Sequence, residues 1–122
     1  MIKKKYRLSG KRCFDDVFQH GQKSFNKFLG IYWKKNNLDF CRFGIIASVK
    51  LEKKSTKRNL LRRRIYSIFR EFLDKIEPGV DIIVVPKKEI MNLPFVELKH
   101  NLLGLLRENF LLKDEFNNEN RK

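Results

Sequence analysis

The sequence has no apolar run that is long enough to cross a membrane. Its longest apolar runs, such as Val80 to Pro86, are far shorter than the ~20 residues that span a bilayer. The basic start, Met1 to Lys5, is not followed by the apolar region of a signal peptide. We therefore expect a cytoplasmic protein without a membrane partner.

Cysteine and histidine are also scarce, with two residues of each. Cys13 and Cys41 form no Cys-x-x-Cys pair, and neither lies at a zinc-type spacing from His20 or His100. This pattern predicts two reduced, mostly buried thiols. A metal-binding or redox role for these cysteines is the less favoured alternative.

Acidic residues are few beside basic ones. The chain of 122 residues has 14 Asp and Glu against 28 Lys and Arg, which gives a formal net charge of +14. Such a field attracts polyanions, so nucleic acid is the first candidate partner. By charge alone an anionic membrane surface is the second, but it is disfavoured because the apolar stripe of the basic helix is needed for the domain core. The charge repels basic partners but says nothing about the fold.

Apolar residues, in contrast, are plentiful. They make up 42% of the chain and include 11 Phe, which is not the composition of a disordered basic tail. The length is close to the commonest size of a single domain. We expect one domain over residues 1–116, with residues 117–122 as a frayed C-terminal tail.

Three helices are predicted from capping residues and apolar periodicity. The first follows Ser9, whose side chain can cap it, and stops at Gly21. The second runs from about Ser55 to Ile76 and is ended by Pro78-Gly79, because its apolar residues recur at helical spacing. The third begins near Pro94, and its apolar stripe consists of Phe95, Leu98, Leu102, Leu105, Leu106 and Phe110.

Strands are predicted where short stretches are rich in β-branched and aromatic residues. These stretches are Phe28 to Trp33 and Phe43 to Val49, joined by a turn, and Val80 to Val85, closed by Pro86. The elements follow one another in the order α-β-β-α-β-α. That order is typical of an α/β sandwich in which helices cover a small sheet.

The positive charge is concentrated in one segment. Residues 50–70 contain nine Lys or Arg and a single acid, Glu52. On a helix, at about 100° per residue, a basic arc and an apolar arc of this segment lie side by side. The basic arc holds Arg58, Asn59, Arg62, Arg63, Tyr66 and Arg70, and it is preceded by Lys50, Lys53 and Lys54.

Such an arc suits a polyanion. Arginine can bind phosphate through two hydrogen bonds, Asn59 can donate and accept toward sugar or base edges, and Tyr66 can stack on a base. A solvated basic face is the alternative interpretation. It is weakened because no acid stands at i,i+4 from Lys53 to Phe69, and unpaired like charges repel. We therefore predict a polyanion site on this helix and on the loop before it.

Aromatic residues form a second set. Phe14 and Phe18 lie one helical turn apart in the first helix, and this spacing alone favours an ordinary core role. Tyr32 and Trp33 are neighbours in a strand and point to opposite faces, so at most one of them joins the core side.

Four segments, which follow one another along the chain in the family's order and spacing, resemble motifs of a known family, the protein component of bacterial ribonuclease P. Arg58-Asn59-Leu60-Leu61-Arg62-Arg63 stands at the place of the family's Arg-Asn-Arg-x-Lys-Arg motif. Phe14 to Gly21 is similar to its Phe-x-x-Val-Phe-x-x-Gly segment, and Arg42 to Lys50 to its Arg-x-Gly strand. Asp81 to Lys87 is similar to its Asp-led apolar strand. The resemblance covers roughly residues 7–112.

The resemblance implies a fold. It is an α/β (α+β) two-layer sandwich, a small mixed sheet packed by helices, in the order α-β-β-(β)-α-β-α with a third strand possible before the second helix. The resemblance also implies a left-handed β-α-β crossover at the basic helix, as in domain 2 of ribosomal protein S5.

It also implies a function, that of the protein subunit of ribonuclease P. The family's holoenzyme is an endoribonuclease that removes the 5′ leader from precursor tRNA, and its RNA subunit performs the cleavage with Mg²⁺. On this resemblance, the chain is expected to have no catalytic residue and no cofactor of its own, to bind the RNA subunit and precursor tRNA, and to be monomeric without RNA.

Site residues follow from the same resemblance. A cleft for the single-stranded leader would contain Phe14, Phe18 and Tyr32, which overturns the core interpretation for part of the aromatic set. The residues expected to bind the RNA subunit are Lys50, Lys53, Lys54, Arg58, Asn59, Arg62, Arg63 and Arg70.

The sequence departs from the family pattern at three positions. Leu60 replaces the second arginine of the central motif, Tyr66 stands where a later arginine is usual, and Val49 replaces one of two paired lysines. The RNA contact at Leu60 is therefore expected to be lost or taken over by Arg64.

Two rival functions remain at this stage. A ribosomal or other structural RNA-binding protein would share the size and charge but would need no single-strand cleft. A stand-alone nuclease would need clustered carboxylates for metal ions or a histidine base. Asp15-Asp16 is the only adjacent acidic pair within the motif-bearing residues 7–112, and His20 and His100 have no obvious partners in the sequence.

Overall fold

The computed structural model describes residues 3–113, which form a mixed sheet with helices on both faces. Its helices and strands are α1 (Lys11–His20), β1 (Gln22–Phe25), β2 (Leu29–Lys35), β3 (Arg42–Ile45), α2 (Ser55–Glu71), β4 (Val80–Pro86) and α3 (Phe95–Glu108). The 3₁₀ turns are Lys4–Tyr6, Leu73–Lys75 and Lys88–Asn92. The predicted α/β class and element order are confirmed, and the possible third strand before α2 is present. The predicted tail, residues 117–122, lies outside the described residues.

The four strands are arranged in the order β1-β2-β4-β3. Strand β4 is antiparallel to β2 and parallel to β3, so α2 connects two parallel neighbours. Strands β2 and β3, which follow each other in the sequence, are therefore separated by β4. Parallel neighbours need a crossover connection, and α2 provides it.

The helices divide between the two faces of the sheet. Helices α2 and α3 pack on one face and form the main core, in which the rings of Phe43 and Phe69 stack with their centroids 4.1 Å apart. Helix α1 packs on the other face, where Val17 and Ile83 are fully buried. Strand β4 is buried on both sides for this reason, which accounts for its almost continuous apolar sequence. Tyr32 lies on the α1 face and Trp33 on the opposite face, as the alternation predicts.

Strand β1 was not predicted from apolar patterning. Its sequence is mostly polar, and it is an edge strand whose only partner is β2. The hairpin is closed by Asn26, whose side-chain oxygen accepts hydrogen bonds from the backbone N–H groups of Phe28 and Leu29, both at 2.9 Å. An asparagine turn of this type brings the two strands together without a strong strand signal in β1.

Some predicted boundaries were wrong. Helix α1 has Gly10 rather than Ser9 at its N-cap, with φ of +89° and no side-chain cap, although it does stop at Gly21. Helix α2 ends at Glu71 instead of Ile76. A 3₁₀ turn, Leu73–Lys75, follows it, and Ile76 forms a bridge with Leu112.

The third helix ends before Phe110, which is therefore not part of its apolar stripe. Phe110 has a φ of +59°, and 67% of its surface is exposed. Strand β3 also ends early, at Ile45 rather than Val49.

Both cysteines are free thiols, as predicted, but Cys13 is only partly buried. Cys41 is buried, and its Sγ donates to the carbonyl of Glu77. Burial raises the pKa of the Cys41 thiol to about 11. Within residues 3–113, no helix combines the length and apolarity that a membrane crossing requires.

One buried ion pair ties β3 to β4. Arg42 donates from Nε and Nη2 to the two carboxylate oxygens of Asp81 at 2.8 and 2.7 Å, and Asn36 donates to Asp81 Oδ1 at 2.8 Å. The hydrogen bond to Asp81 raises the pKa of Arg42. Asp81 is the one charged residue among the buried side chains of the described chain.

Replacing Asp81 by alanine should therefore destabilise the fold strongly. It leaves a half-buried guanidinium without its acceptor, and we expect a loss of about 3 kcal/mol, the lower end for breaking a buried ion pair. Urea unfolding measures this loss. Glu71→Ala is the matched control, because it breaks an exposed ion pair with Lys99 and should cost less than about 1 kcal/mol. Similar small losses in both variants would contradict the structural role of Asp81.

Candidate nucleic-acid interface

The basic arc of α2 forms one continuous surface together with the loop before it. Asn59, Arg63 and Arg70 are exposed on the helix, and the loop residues Lys50, Lys53 and Lys54 are exposed beside its N-terminal end. We call these residues, with Arg58 and Arg62, the basic surface.

Two of its arginines also hold the loop in place. Arg58 Nη1 donates to the carbonyls of Glu52 and Lys53 at 2.8 and 2.9 Å. Arg62 donates from Nη2 to the carbonyl of Ala47 at 3.0 Å and from Nη1 to the side chain of Asn59 at 2.9 Å. A guanidinium has five N–H donors, so both arginines can bind an anion as well. These bonds fix the loop lysines relative to the helix.

The start of α2 adds to the attraction for anions. Lys54 is its N-cap residue and makes no side-chain cap, and the first turn contains no acidic residue. The backbone N–H groups at this end and the helix dipole therefore favour an anion.

Tyr66 lies on the same arc but is partly buried. Burial raises the pKa of its phenol, and the nearby charges of Arg7 and Arg62 oppose that rise. Arg7 is a basic residue that sequence reasoning did not select. It joins this region because its backbone bridges to Phe43 of β3, a long-range pairing that no local pattern signals.

The predicted aromatic residues meet on the other face of the sheet, next to α1. The rings of Phe18 and Tyr32 contact each other edge to face with centroids 4.7 Å apart. Phe25 of β1 contacts Tyr32 in the same way at 5.6 Å. We call these three residues, with Phe14, the aromatic cleft.

Two glycines make room for the rings. A Cβ atom added to Gly30 would overlap the Phe25 ring, and one added to Gly44 would overlap the Phe14 ring. Phe14 therefore lies against β3 at the core side of the cleft. Phe25, with 43% of its surface exposed, forms the open side.

Cations border the open side of the cleft. Lys87 Nζ lies 5.4 Å from the centroid of the Phe25 ring and donates to the carbonyl of Asn26 at 2.7 Å. Lys23 pairs with Tyr32 across the sheet, so it lies on the same face. Exposed aromatic rings beside cations suit single-stranded nucleic acid, since bases stack on the rings and phosphates approach the cations.

Phe25 and Lys87 were also missed in the sequence. Phe25 stands in a polar strand without an apolar pattern. Lys87 follows β4 and reaches the cleft only because β4 lies beside β2. No local signal identifies either residue.

The acidic pair of α1 does not form a metal cluster. The carboxylate of Asp16 accepts hydrogen bonds from Lys34 at 3.1 Å and from His20 at 3.0 Å. Both bonds lower the pKa of Asp16, and the bond with Lys34 has the larger effect. Among the described residues, no three His, Cys, Asp or Glu side chains are grouped so that they could hold a metal ion.

Comparison with known proteins identifies the family. The ribonuclease P family matches residues 2–109. The ribonuclease P protein component of Thermotoga petrophila is 36% identical over 105 residues, which cover 83% of this chain and 89% of that protein. The corresponding protein of Geobacillus kaustophilus is 33% identical over 113 residues and covers 92% of this chain and 93% of its own length.

Solved structures agree with the described fold. The ribonuclease P protein of Thermotoga maritima superposes with a TM-score of 0.77 at 34% identity and covers 82% of this chain and 94% of its own. The protein of Staphylococcus aureus, at 24% identity, has the same fold with a TM-score of 0.82 and covers 88% of this chain and 98% of its own. The comparisons do not favour the alternative of a ribosomal-type RNA-binding protein. The chain therefore belongs to the ribonuclease P protein family and is a protein component of ribonuclease P.

Proposed function

We propose that the chain binds two RNA molecules at once. The basic surface of α2 binds the RNA subunit of ribonuclease P, and the aromatic cleft binds the single-stranded 5′ leader of precursor tRNA. The holoenzyme then removes the leader and gives the mature 5′ end of the tRNA.

One observation carries this proposal: the two surfaces lie on opposite faces of the sheet. Helix α2 packs into the core that contains Phe69, whereas Phe18 and Tyr32 pack with α1 on the other face. A ligand on one surface does not occupy the other. The protein can therefore hold the RNA subunit and the leader simultaneously.

Each surface supplies a different kind of affinity. The basic surface neutralises phosphates and releases counterions, so binding of the RNA subunit should weaken steeply as salt rises. The cleft stacks bases without reading much sequence. Because mature tRNA lacks the leader, contacts in the cleft favour the precursor over the product.

The chemical step is assigned to the RNA subunit. Mg²⁺ bound by that RNA would supply the activated water for cleavage, and the residues of this chain bind and orient the two RNAs. We propose that the protein alone holds no cofactor, is monomeric without RNA and acts in the cytoplasm.

Reconstitution tests this division of roles. Added to a bacterial ribonuclease P RNA at low Mg²⁺, the protein should restore 5′ processing of precursor tRNA, because it lowers the repulsion between the two RNAs. The protein with Mg²⁺ but without that RNA should leave precursor tRNA intact. Robust cleavage by the protein alone would contradict the proposal and favour a nuclease. Equal stimulation with precursors whose leaders are one nucleotide and several nucleotides long would favour a purely structural RNA-binding role.

A further inference from the structure

Two exposed apolar residues belong to neither of these surfaces. Val49 is 61% exposed and Leu60 is 41% exposed. They line the same open groove of about 790 Å³, between the start of α2, the loop before it and the turn Lys88–Asn92. Met91 in this turn and Leu93 directly after it extend the apolar floor of the groove. The volume lies within the range of about 300–1,000 Å³ that is typical of ligand sites.

The groove is bordered by positive charge. Its only acidic lining residue is Glu52, whose carboxylate already accepts a hydrogen bond from the backbone N–H of Lys54 at 3.2 Å. The cations that line it are Lys50, Lys53, Lys54, Lys57, Arg64 and Lys88. The groove therefore attracts a ligand that is anionic at its edges and apolar at its centre.

An apolar floor within a cationic rim is informative about the ligand. Exposed apolar patches rimmed by polar residues mark interaction sites. An RNA duplex offers phosphates to the rim, but its bases are stacked inside and gain nothing from Val49 or Leu60. An unstacked nucleotide offers both parts, since its phosphates are anionic and the face of its base packs against apolar side chains.

The surroundings indicate where this nucleotide comes from. Lys50, Lys53 and Lys54 belong to the basic surface and also line the groove. One RNA that lies on α2 can therefore continue into the groove without leaving positive charge. An acidic protein segment would fit the charge, but it would have to displace the RNA from these three lysines.

We propose that the groove binds an unpaired nucleotide of the RNA subunit. Its base packs against Val49, Leu60 and Met91, and the flanking phosphates approach the lysines of the rim. This inference rests on the proposed function, because it takes the RNA subunit as the ligand.

The variant Val49→Ser/Leu60→Ser tests the groove without changing any charge. We expect its Kd for a bacterial ribonuclease P RNA to be about tenfold higher than that of the unaltered protein. The slope of log K against log[salt] should stay the same, because no phosphate contact is removed. Val96→Ser is the matched control: Val96 is 62% exposed on α3 and does not line the groove. Its Kd should not change.

Chemical probing of the bases supplies a second measurement. In the RNA bound to the unaltered protein, at least one unpaired base should be protected from dimethyl sulfate or carbodiimide, and the double variant should lose that protection. Leu60→Lys should lose it too while steepening the salt dependence, since it replaces an apolar contact by a charge. Urea unfolding establishes that each variant is folded.

Unaltered affinity and unaltered base protection in the folded double variant would overturn the groove assignment but leave the proposed function standing. If the unaltered protein itself fails to bind the RNA, the proposed function fails instead. The two failures are thus distinguishable.

Discussion

A holoenzyme that carries Phe25→Ala is expected to bind precursor tRNA about tenfold more weakly, with no change for mature tRNA. Phe25 forms the open side of the aromatic cleft, where it contacts Tyr32 and lies beneath Lys87. Removal of one aromatic platform costs about 1–3 kcal/mol per stacked base, and 1.4 kcal/mol is about a factor of ten. The measurement is the ratio of the two Kd values, with a precursor that has a leader of several nucleotides.

Phe110→Ala is the matched control for this variant. Phe110 is also an exposed phenylalanine, but it lies outside the cleft, near the end of α3. The Phe110→Ala variant should bind precursor and mature tRNA with the same affinities as the unaltered protein. Equal losses of affinity for precursor and mature tRNA in Phe25→Ala would contradict leader binding in the cleft.

Phe25 is a better test than Phe14, which the motif resemblance selects first. The Phe14 ring packs against Gly44 at the core side of the cleft. Its truncation would therefore lower the stability of the fold as well as any affinity for the leader. A combined Phe25→Ala/Tyr32→Ala variant should lower leader-dependent affinity further, by about a hundredfold, provided that urea unfolding shows it to be folded.

The double variant Arg62→Ala/Arg63→Ala should weaken binding of the RNA subunit and flatten its salt dependence. Each lost phosphate contact lowers the slope of log K against log[salt] by about 0.7–0.9, so two lost contacts should lower it by about 1.4–1.8. The Kd is measured between low and physiological salt. Arg62 also holds the loop at Ala47. Arg63→Ala alone removes an exposed side chain and therefore separates the charge effect from a loosened loop.

Lys27→Ala/Lys35→Ala is the control for the removed charge. It also deletes two exposed cations, but Lys27 lies in the turn before β2 and Lys35 at the end of β2, outside the basic surface. Its salt slope should remain that of the unaltered protein. If both double variants flatten the slope equally, the RNA is responding to net charge and not to the α2 surface.

The aromatic cleft shows how far a sequence pattern reaches. Phe14, Phe18 and Tyr32 could be selected through the resemblance to the family, and the spacing of the two Phe residues alone pointed to the core. The structure agrees with the core interpretation in part, because Phe14 closes the core side while Phe18 and Tyr32 continue toward the open side. Leader binding by these rings stays a prediction. Which part of a ring is buried depends on the helix that covers it, and spacing within one segment does not contain that information.

The departures at Val49 and Leu60 show the same limit from another side. In the sequence they are eleven residues apart and look like two separate losses of charge. In the structure they line one groove, together with Arg64, the residue expected to replace the contact at Leu60. Only the return of the chain at Lys88–Asn92 makes the groove, because that turn supplies its opposite wall.

The sequence by itself determined the charge, the amphipathic α2, the buried strand β4 and the family. Each of these depends only on composition, on local periodicity or on contiguous motifs. The tertiary structure alone decided that β4 separates β2 from β3 and that the basic surface and the aromatic cleft lie on opposite faces of the sheet. It also placed Arg7 beside the basic surface, and Phe25 and Lys87 at the aromatic cleft. The physical reason is that strand order and the pairing of an edge strand depend on contacts between distant segments. Such contacts are selected by the packing of the whole core, and no short segment specifies them.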